Sequence, residues 1–336
     1  MKSKGLKVGV VGATGMVGTA FMDLLNERKF PLQDLRPFAS EKSVGQSVTV
    51  QGRSFGVQLL RPGCFDGLDL VFFSSGDEIS LEWAPLAVKA GAFAVDNSAA
   101  FRMDATKILC VPEVNGDLLD AQKKIPQIIA NPNCTTIQLV VALNPLLKAY
   151  GISAVRVASY QAVSGAGQEA YNELLGQVTE SNPQAKVFPH PIAFNCIPQI
   201  GSFQDNGYTS EEMKVIKETR KILRHQEMKV SAFTVRVPVL NAHAEAVWVT
   251  LDKVTDQKSL HDLWRKAPGV VLEDDVKNAV YPQQYKASGK DPVYVGRIHR
   301  DLDDEKTWLL WIVADNIRKG AALNGIQIAE RIFDIR

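Results

Sequence analysis

The sequence predicts an α/β protein of two domains: a Rossmann-like dinucleotide-binding domain, then an α+β domain with a largely antiparallel sheet. Three observations lead there. The chain opens on a strand, a glycine turn and a helix. A βα rhythm continues as far as residue 149, and beyond it five long segments alternate apolar with polar residues. A length of 336 residues fits two domains better than one.

Bulk composition narrows the class. With 46% hydrophobic residues there is ample material for packed cores. The 38 basic and 37 acidic side chains balance, so nothing points to a nucleic-acid or membrane surface. Cys64, Cys110, Cys134 and Cys196 lie far apart without a C-x-x-C pair, which reads as neither a disulfide nor a zinc framework. The chain enters its first strand directly after Lys2-Ser3-Lys4, with no signal peptide, and no apolar run reaches about 18 residues. These features predict a soluble, cytoplasmic protein with no metal site, because the histidines show no ligand spacing.

Taken in order, residues 6–11 are β-branched and alternating, hence a strand. Gly12-Ala13-Thr14-Gly15-Met16-Val17-Gly18 follows, then an amphipathic helix to about residue 27. In that context glycines let the backbone approach a pyrophosphate at a helix N-terminus. The spacing is G-x-x-G-x-x-G rather than the commoner G-x-G-x-x-G, and such turns also serve tight strand–helix packing. A second strand, residues 35–39, ends in Ser40-Glu41-Lys42-Ser43. NAD-selective sites usually place a carboxylate at that strand end, for the ribose 2′-hydroxyl. Here Ala39 or Ser40 holds the position, and Lys42 and Ser43 suit a 2′-phosphate, so NADP is expected over NAD. Glu41 would reverse that preference if it pointed inward, and Lys42 also reads as a solvated loop charge. Residues 70–73 form a further strand, residues 79–90 a helix and residues 93–95 another strand. Arg102, in the polar stretch after it, is a candidate anion clamp, its planar fork matching carboxylate or phosphate.

Asn131-Pro132-Asn133-Cys134-Thr135-Thr136 separates the apolar run 128–130 from a helical pattern over 137–149. Pro132 biases Asn131 toward extended geometry, and Asn133 is a good N-cap. Cys134 then falls in the first helical turn, where free N–H groups and the dipole favour a thiolate. A free cysteine is otherwise most often a small buried hydrophobe.

In the second half, residues 153–162, 229–240, 243–251, 293–299 and 307–314 read as strands. Residues 167–179, 210–224 and 319–332 read as helices, and residues 181–198 as loop. Gln161 precedes Ser164, Gly165 and Gly167 at a strand end, where a ligand can come close and the amide can both donate and accept. Arg236 is out of phase with Phe233, Val235, Val237 and Val239, so it projects from the opposite face. His243 falls at a strand end, where an imidazole can be partly exposed and titrate near neutrality. Glu211 and Lys214 share a helix face, and an exposed salt bridge is the simplest reading of the pair.

Several strings together give the chain an end-to-end resemblance to the bacterial aspartate-β-semialdehyde dehydrogenase family. They are GATGMVG at 12–18, DNSAAFR at 96–102, NPNCTT at 131–136, QAVSGAG at 161–167, FPHPIAFN at 188–195, RVPVLNAHAE at 236–245 and DNIRKGAALN at 315–324. The resemblance implies an NADP-binding domain over residues 1–132, to which a helix of about 316–336 returns, and a catalytic and dimerisation domain over 133–315. It implies Cys134 as the acylated nucleophile, His243 as acid/base catalyst and Gln161 as the residue positioning the acyl group. Arg236 would hold the substrate carboxylate, Glu211 its amine, and Arg102 and Lys214 the phosphate, with Asn133 beside them. Gly12, Thr14, Gly15, Met16, Val17, Lys42, Ser43, Ser164, Gly165 and Asn316 match cofactor positions. The implied partners are a small-molecule substrate, phosphate and a second copy of the chain, as a homodimer or a dimer of dimers. Asn241-Ala242-His243-Ala244 stands where many members read Gly-His-Ser, and Lys42 replaces a frequent arginine. An N-acetylglutamyl-phosphate reductase of the same architecture and a non-catalytic paralogue are the alternatives.

Overall fold

The computed structural model describes residues 5–123, 125–179 and 184–335. Two compact units divide them: Met1–Pro132 with Ala321–Arg336, and Asn133–Gly320.

The first unit is built on a six-stranded parallel sheet. Its strands are β1 (Leu6–Val11), β2 (Leu32–Phe38), β5 (Leu70–Phe73), β6 (Phe93–Asp96), β7 (Ile108–Leu109) and β8 (Ile128–Ala130), in the order β2-β1-β5-β6-β8-β7. The central β5, Leu-Val-Phe-Phe, is buried at every position, as a parallel strand covered on both faces must be. Helix α1 (Met16–Glu27) turns Phe21, Met22, Leu24 and Leu25 inward, and Phe21 stacks on Phe72 with ring centroids 4.4 Å apart. Strand β2 starts at Leu32, earlier than its apolar pattern indicates, because pairing to β1 begins at Leu6↔Leu32. A hairpin of β3 (Ser47–Val50) and β4 (Arg53–Gly56) follows, turning on Gln51 and Gly52 at φ 51° and 74°. Positive φ at both turn residues is the two-residue hairpin geometry that the Gln-Gly pair encodes.

Helix α2 (Asp77–Lys89) and two single-turn helices, α3 (Pro112–Asn115) and α4 (Asp117–Asp120), complete the amino-terminal part of this unit. The last helix returns beside α1. Arg28 donates to both carboxylate oxygens of Glu330 at 2.8 and 2.7 Å, while Leu323, Ile326, Ile328 and Ala329 join the core of Val8, Val10, Leu70 and Phe72.

In the second unit α5 (Cys134–Tyr150) is buried almost all round beneath a six-stranded sheet. The strands are β9 (Ile152–Gln161), β10 (Lys229–Arg236), β11 (His243–Leu251), β12 (Val270–Leu272), β13 (Val293–Arg300) and β14 (Thr307–Ala314). Their order is β10-β9-β11-β14-β13-β12; β9 pairs with β10, and β12 with β13, in parallel, and the other three pairings are antiparallel. Strand β10 ends at Arg236, before Pro238, which has no N–H for a ladder. Helices α6 (Gln168–Thr179), α7 (Ser210–Ile222), α8 (Gln257–Arg265) and the single turn α9 (Gln284–Ala287) surround the sheet. Trp264 of α8 is fully buried and donates through Nε1 to Ala142 O of α5 at 3.0 Å. Residues 184–198 form a loop; of the loop expected over 181–198, residues 181–183 lie outside the described residues. Where one helix was expected over 319–332, a π-helical turn, Arg318–Ala322, precedes α10 (Leu323–Ile332).

Packing fixes one glycine of the first turn. A Cβ on Gly18 would stand 2.0 Å from Gly12 O. Gly18→Ala should therefore lower unfolding stability by about 1–3 kcal/mol, read from the urea midpoint. A variant as stable as the parent would mean that β1 and α1 are packed less tightly than this.

Candidate active site

The second unit collects the chemistry around the start of α5. Asn133 has φ −59° and ψ 142°, and its Oδ1 accepts from Thr135 N at 3.0 Å and Thr136 N at 3.3 Å. It is the N-cap the sequence indicates, taking up two of the free N–H groups of the helix. From Ile128 to Asn144, Cys134 alone is not buried. The thiol is thus the part of the helix start that a reactant can reach, at the positive end of its dipole. Packing over it is close: a Cβ on Gly320, in the π-helical turn, would lie 2.9 Å from Cys134 Cβ. A residue with a side chain there would displace the cysteine, and π-turns often mark such functional positions.

Two carboxylates of α7 hold Asn133. Its Nδ2 donates to Glu211 Oε1 at 2.8 Å, and its backbone N–H donates to Glu218 Oε2 at 2.7 Å. Glu211 is only 7% exposed and also accepts from Gln161 Nε2 at 3.4 Å and Lys214 Nζ at 3.5 Å. The pair Glu211–Lys214 is therefore not the exposed salt bridge of the simplest reading. Its carboxylate is drawn inside by amide donors, while Lys214 keeps its head near solvent. Helix α7 is itself fixed by a capping box: Thr209 Oγ1 accepts from Glu212 N, and Glu212 accepts from Thr209 N and, across to β10, from Thr234 N.

Arg236 closes β10 in phase with the buried Val230, Ala232 and Thr234, whereas Phe233 lies on the exposed outer face. Its Nη1 donates to Ala162 O at 2.6 Å, and its guanidinium lies 5.7 Å from the ring centroid of Phe188. Burial pulls its pKa down, and the negative charges of Glu211 and Cys134 oppose that. The same attraction favours a thiolate at Cys134.

His243 corrects an expectation. It is the first residue of β11, has no exposed surface, and its pKa is pushed down from 6.5 to about 3. Burial is the main cause and the charge of Arg236 the second. The ring is neutral near pH 7. Ala162 N donates to its Nδ1 at 3.1 Å, so the neutral ring carries its proton on Nε2. That edge faces Gly165, where an added Cβ would come within 3.1 Å of Nε2 and 3.0 Å of Arg236 Nη1. The preceding Ala242 takes φ 68°, a left-handed conformation easier for glycine. Asn316 Oδ1 holds its N–H at 2.9 Å, and Ser164 Oγ accepts from Asn316 Nδ2 and donates to Asn241 Oδ1, both at 3.0 Å.

The first unit contributes a separate set. Gly12 has φ 83°, and a Cβ there would meet Ser74 at 2.9 Å. Gly15, the N-cap of α1, offers no side-chain cap, so the first N–H groups of that helix are available for an anion such as a pyrophosphate. Thr14 and Ser43 hydroxyls stand 3.1 Å apart, and Lys42 is exposed in the turn Glu41–Ser43. The backbone therefore fits a dinucleotide. Arg102 is buried, not at the surface, and donates from Nη2 to Asn97 O at 2.9 Å. Three of the resembling strings meet here: Asn131 Nδ2 donates to Asn97 Oδ1 at 2.6 Å, and Asn324 Nδ2 to Asn131 Oδ1 at 2.7 Å.

Sequence reasoning passed over Glu218 and Gln138, which carry no motif beyond helix periodicity, and gave no role to Glu245 at the end of the string 236–245. Among the described residues no group of three His, Cys, Asp or Glu is placed to hold a metal ion. No helix among them is long and apolar enough to cross a membrane.

Comparisons with known proteins identify the family to which this fold belongs. Residues 7–122 match the family model described as semialdehyde dehydrogenase, NAD binding domain, and residues 143–319 match semialdehyde dehydrogenase, dimerisation domain. Fold and site thus define an NAD(P)-binding oxidoreductase of the semialdehyde dehydrogenase class. Aspartate-semialdehyde dehydrogenases of Aquifex aeolicus and Bacillus subtilis are 46% and 45% identical to this chain, over 97% and 98% respectively of both partners. The crystal structure of aspartate semialdehyde dehydrogenase II from Vibrio cholerae, complexed with ASA, superposes with a TM-score of 0.94 at 42% identity over 98% of each chain. The Candida albicans enzyme with NADP gives 0.76 at 25%, over 99% of this chain and all of that one. The chain belongs to the aspartate-semialdehyde dehydrogenase family.

Glu245, two residues along β11 from His243, is fully buried, and neither its carboxyl oxygens nor the amide of the buried Gln138 completes a hydrogen bond. Burial raises its pKa well above 4.5, only partly offset by Gln138 nearby. A raised carboxyl pKa stabilises the fold fully below the unfolded value, and the contribution is lost as pH rises. Glu245→Gln should thus be more stable than the parent at pH 8, with the gap closing toward pH 4. Urea midpoints at the two pH values test this, and a gap that widens on acidification would contradict a buried neutral carboxyl.

Proposed function

We propose that the protein is an NADP-dependent aspartate-semialdehyde dehydrogenase. In the biosynthetic direction it would convert L-aspartyl 4-phosphate to L-aspartate 4-semialdehyde, a step toward lysine, threonine, methionine and isoleucine. One observation carries the reading: the sole unburied residue at the start of a buried helix is a cysteine, with Arg236 and Glu211 acting on its surroundings. The first unit is the NADP-binding domain, and the second the catalytic and dimerisation domain.

The chemistry follows from the side chains. Cys134 thiolate attacks the acyl carbon, a C–S bond forms, and the C–O bond to phosphate breaks. Phosphate departs with the electron pair and takes a proton from solvent; Arg102 and Lys214 are its proposed binding groups. NADPH, when bound, supplies a hydride. Gln161 orients the acyl oxygen and Arg236 fixes the α-carboxylate as a bidentate partner. Glu211 accepts from the α-amine, which an N-acetylated substrate would not offer. His243, neutral and carrying its proton on Nε2, donates a hydrogen bond to the oxyanion on the reacting carbon. That oxyanion collapses to the aldehyde as the C–S bond breaks and Cys134 regains its thiolate. In reverse, His243 holds the oxygen of the thiohemiacetal in the same way.

Gly12, Thr14, Gly15, Met16, Val17, Lys42, Ser43, Ser164, Gly165 and Asn316 are the proposed cofactor residues. Lys42 and Ser43 favour the 2′-phosphate of NADP. The outer face of the second sheet exposes Tyr160, Phe233 and Trp248, an apolar patch suited to a homodimer. The protein is proposed to work in the cytoplasm.

A phosphate-dependent NADP reduction assay with aspartate semialdehyde tests the reading. Preference for N-acetylglutamate semialdehyde would overturn the substrate, and NAD used as well as NADP would overturn the cofactor choice. Cys134→Ala should lose at least about 10⁴-fold in kcat yet bind NADP as the parent does. Turnover surviving that change would exclude a covalent route.

A further inference from the structure

Glu218 is completely buried and has no part in the chemistry above, yet it bonds to the residue just before the nucleophile. The N-cap residue of a helix has a backbone N–H that cannot bond within the helix. In a capping box the side chain of the third helical residue takes it. In α5 that residue is Thr136, whose short side chain does not do so; its Oγ1 has no partner. Glu218 Oε2 supplies the missing acceptor from another helix, at 2.7 Å. Glu211 and Glu218 are seven residues, or two turns, apart, so both leave the same face of α7. One takes the side chain of Asn133 and the other its backbone. With Oδ1 accepting from Thr135 and Thr136, every part of the N-cap is tied.

We propose that Glu218 is a positioning residue for the nucleophile, completing the capping box of α5 from α7 and so fixing the direction in which Cys134 presents its sulfur. The proposal rests on the reading of Cys134 as nucleophile. Helix α7 can serve as the fixed side of this clamp because its own cap bonds Thr209, Glu212 and Thr234 tie it to β10. The role requires an acceptor at the right reach, not a charge. A negative charge would in fact compete with the thiolate for the positive end of α5.

The test compares Glu218→Ala, Glu218→Gln and Glu218→Asp in the full chain. Two readouts are used: steady-state kinetics, and the pH dependence of iodoacetamide alkylation at the Cys134 peptide, followed by mass spectrometry. Glu218→Ala should lose about 10- to 100-fold in kcat, with KM values little changed and an alkylation midpoint above that of Glu218→Gln, which removes the same charge. Glu218→Gln keeps an acceptor oxygen at full reach and should retain most of kcat. Glu218→Asp keeps the charge but is one methylene short, and should resemble the alanine variant. If Glu218→Ala does not fold, the aspartate and glutamine variants decide between acceptor reach and charge. A folded alanine variant with parental kcat and alkylation profile, however much its melting point falls, would leave Glu218 a packing residue and end the proposal. So would an aspartate variant as active as the parent, or a glutamine variant as poor as alanine. Alkylation needs no substrate, so it tests the clamp even if the assigned substrate is wrong. Failure of the nucleophile reading shows separately, as turnover in Cys134→Ala.

Discussion

The capping of α5 by Asn133 is the constraint on which the rest of the site depends. A helix start leaves several N–H groups without partners, and burying them costs free energy unless each is met. Here the cap residue meets two with its own side chain and is then held by two carboxylates from α7. The remaining positive potential falls on the first turn at Cys134, the one residue there that is not buried. Such a helix start has little freedom to tilt, because α5 is enclosed by the sheet, α7 and α8 along nearly its whole length.

Around that fixed point the electrostatics are divided among buried groups. Arg236 keeps its charge in a site that penalises it because Glu211 and the cysteine oppose the penalty. The same cation, with burial, holds His243 neutral. One guanidinium thereby favours an anion at sulfur and disfavours a cation at imidazole, so the two groups do not form an ion pair. The Nδ1 bond from Ala162 N sets which nitrogen has the proton, and Gly165 leaves room beside it.

Much of this was legible in the chain. The first unit follows from period and glycine placement, since parallel strands buried on both faces must be apolar throughout. Asn133 as cap and Cys134 in the first turn were readable because capping is local. Arg236 was identified by being out of phase, although the apolar phase of β10 turned out to be the exposed one at Phe233. Alternation gives two faces and does not say which is covered.

What the sequence by itself determined is whatever depends on neighbours along the chain: the strands and helices, the glycine turn, the helix cap and the place of Cys134 in the first turn after it. The tertiary structure decided depth and pairing. Full burial moved His243 from a group titrating near neutrality to a neutral donor, and turned Glu211 from an apparent surface partner of Lys214 into an anchor for Asn133. Glu218 carries no local signal, because its partner is 85 positions away. Dielectric environment and long-range hydrogen bonds arise only when distant segments pack, so no reading of adjacent residues could assign them.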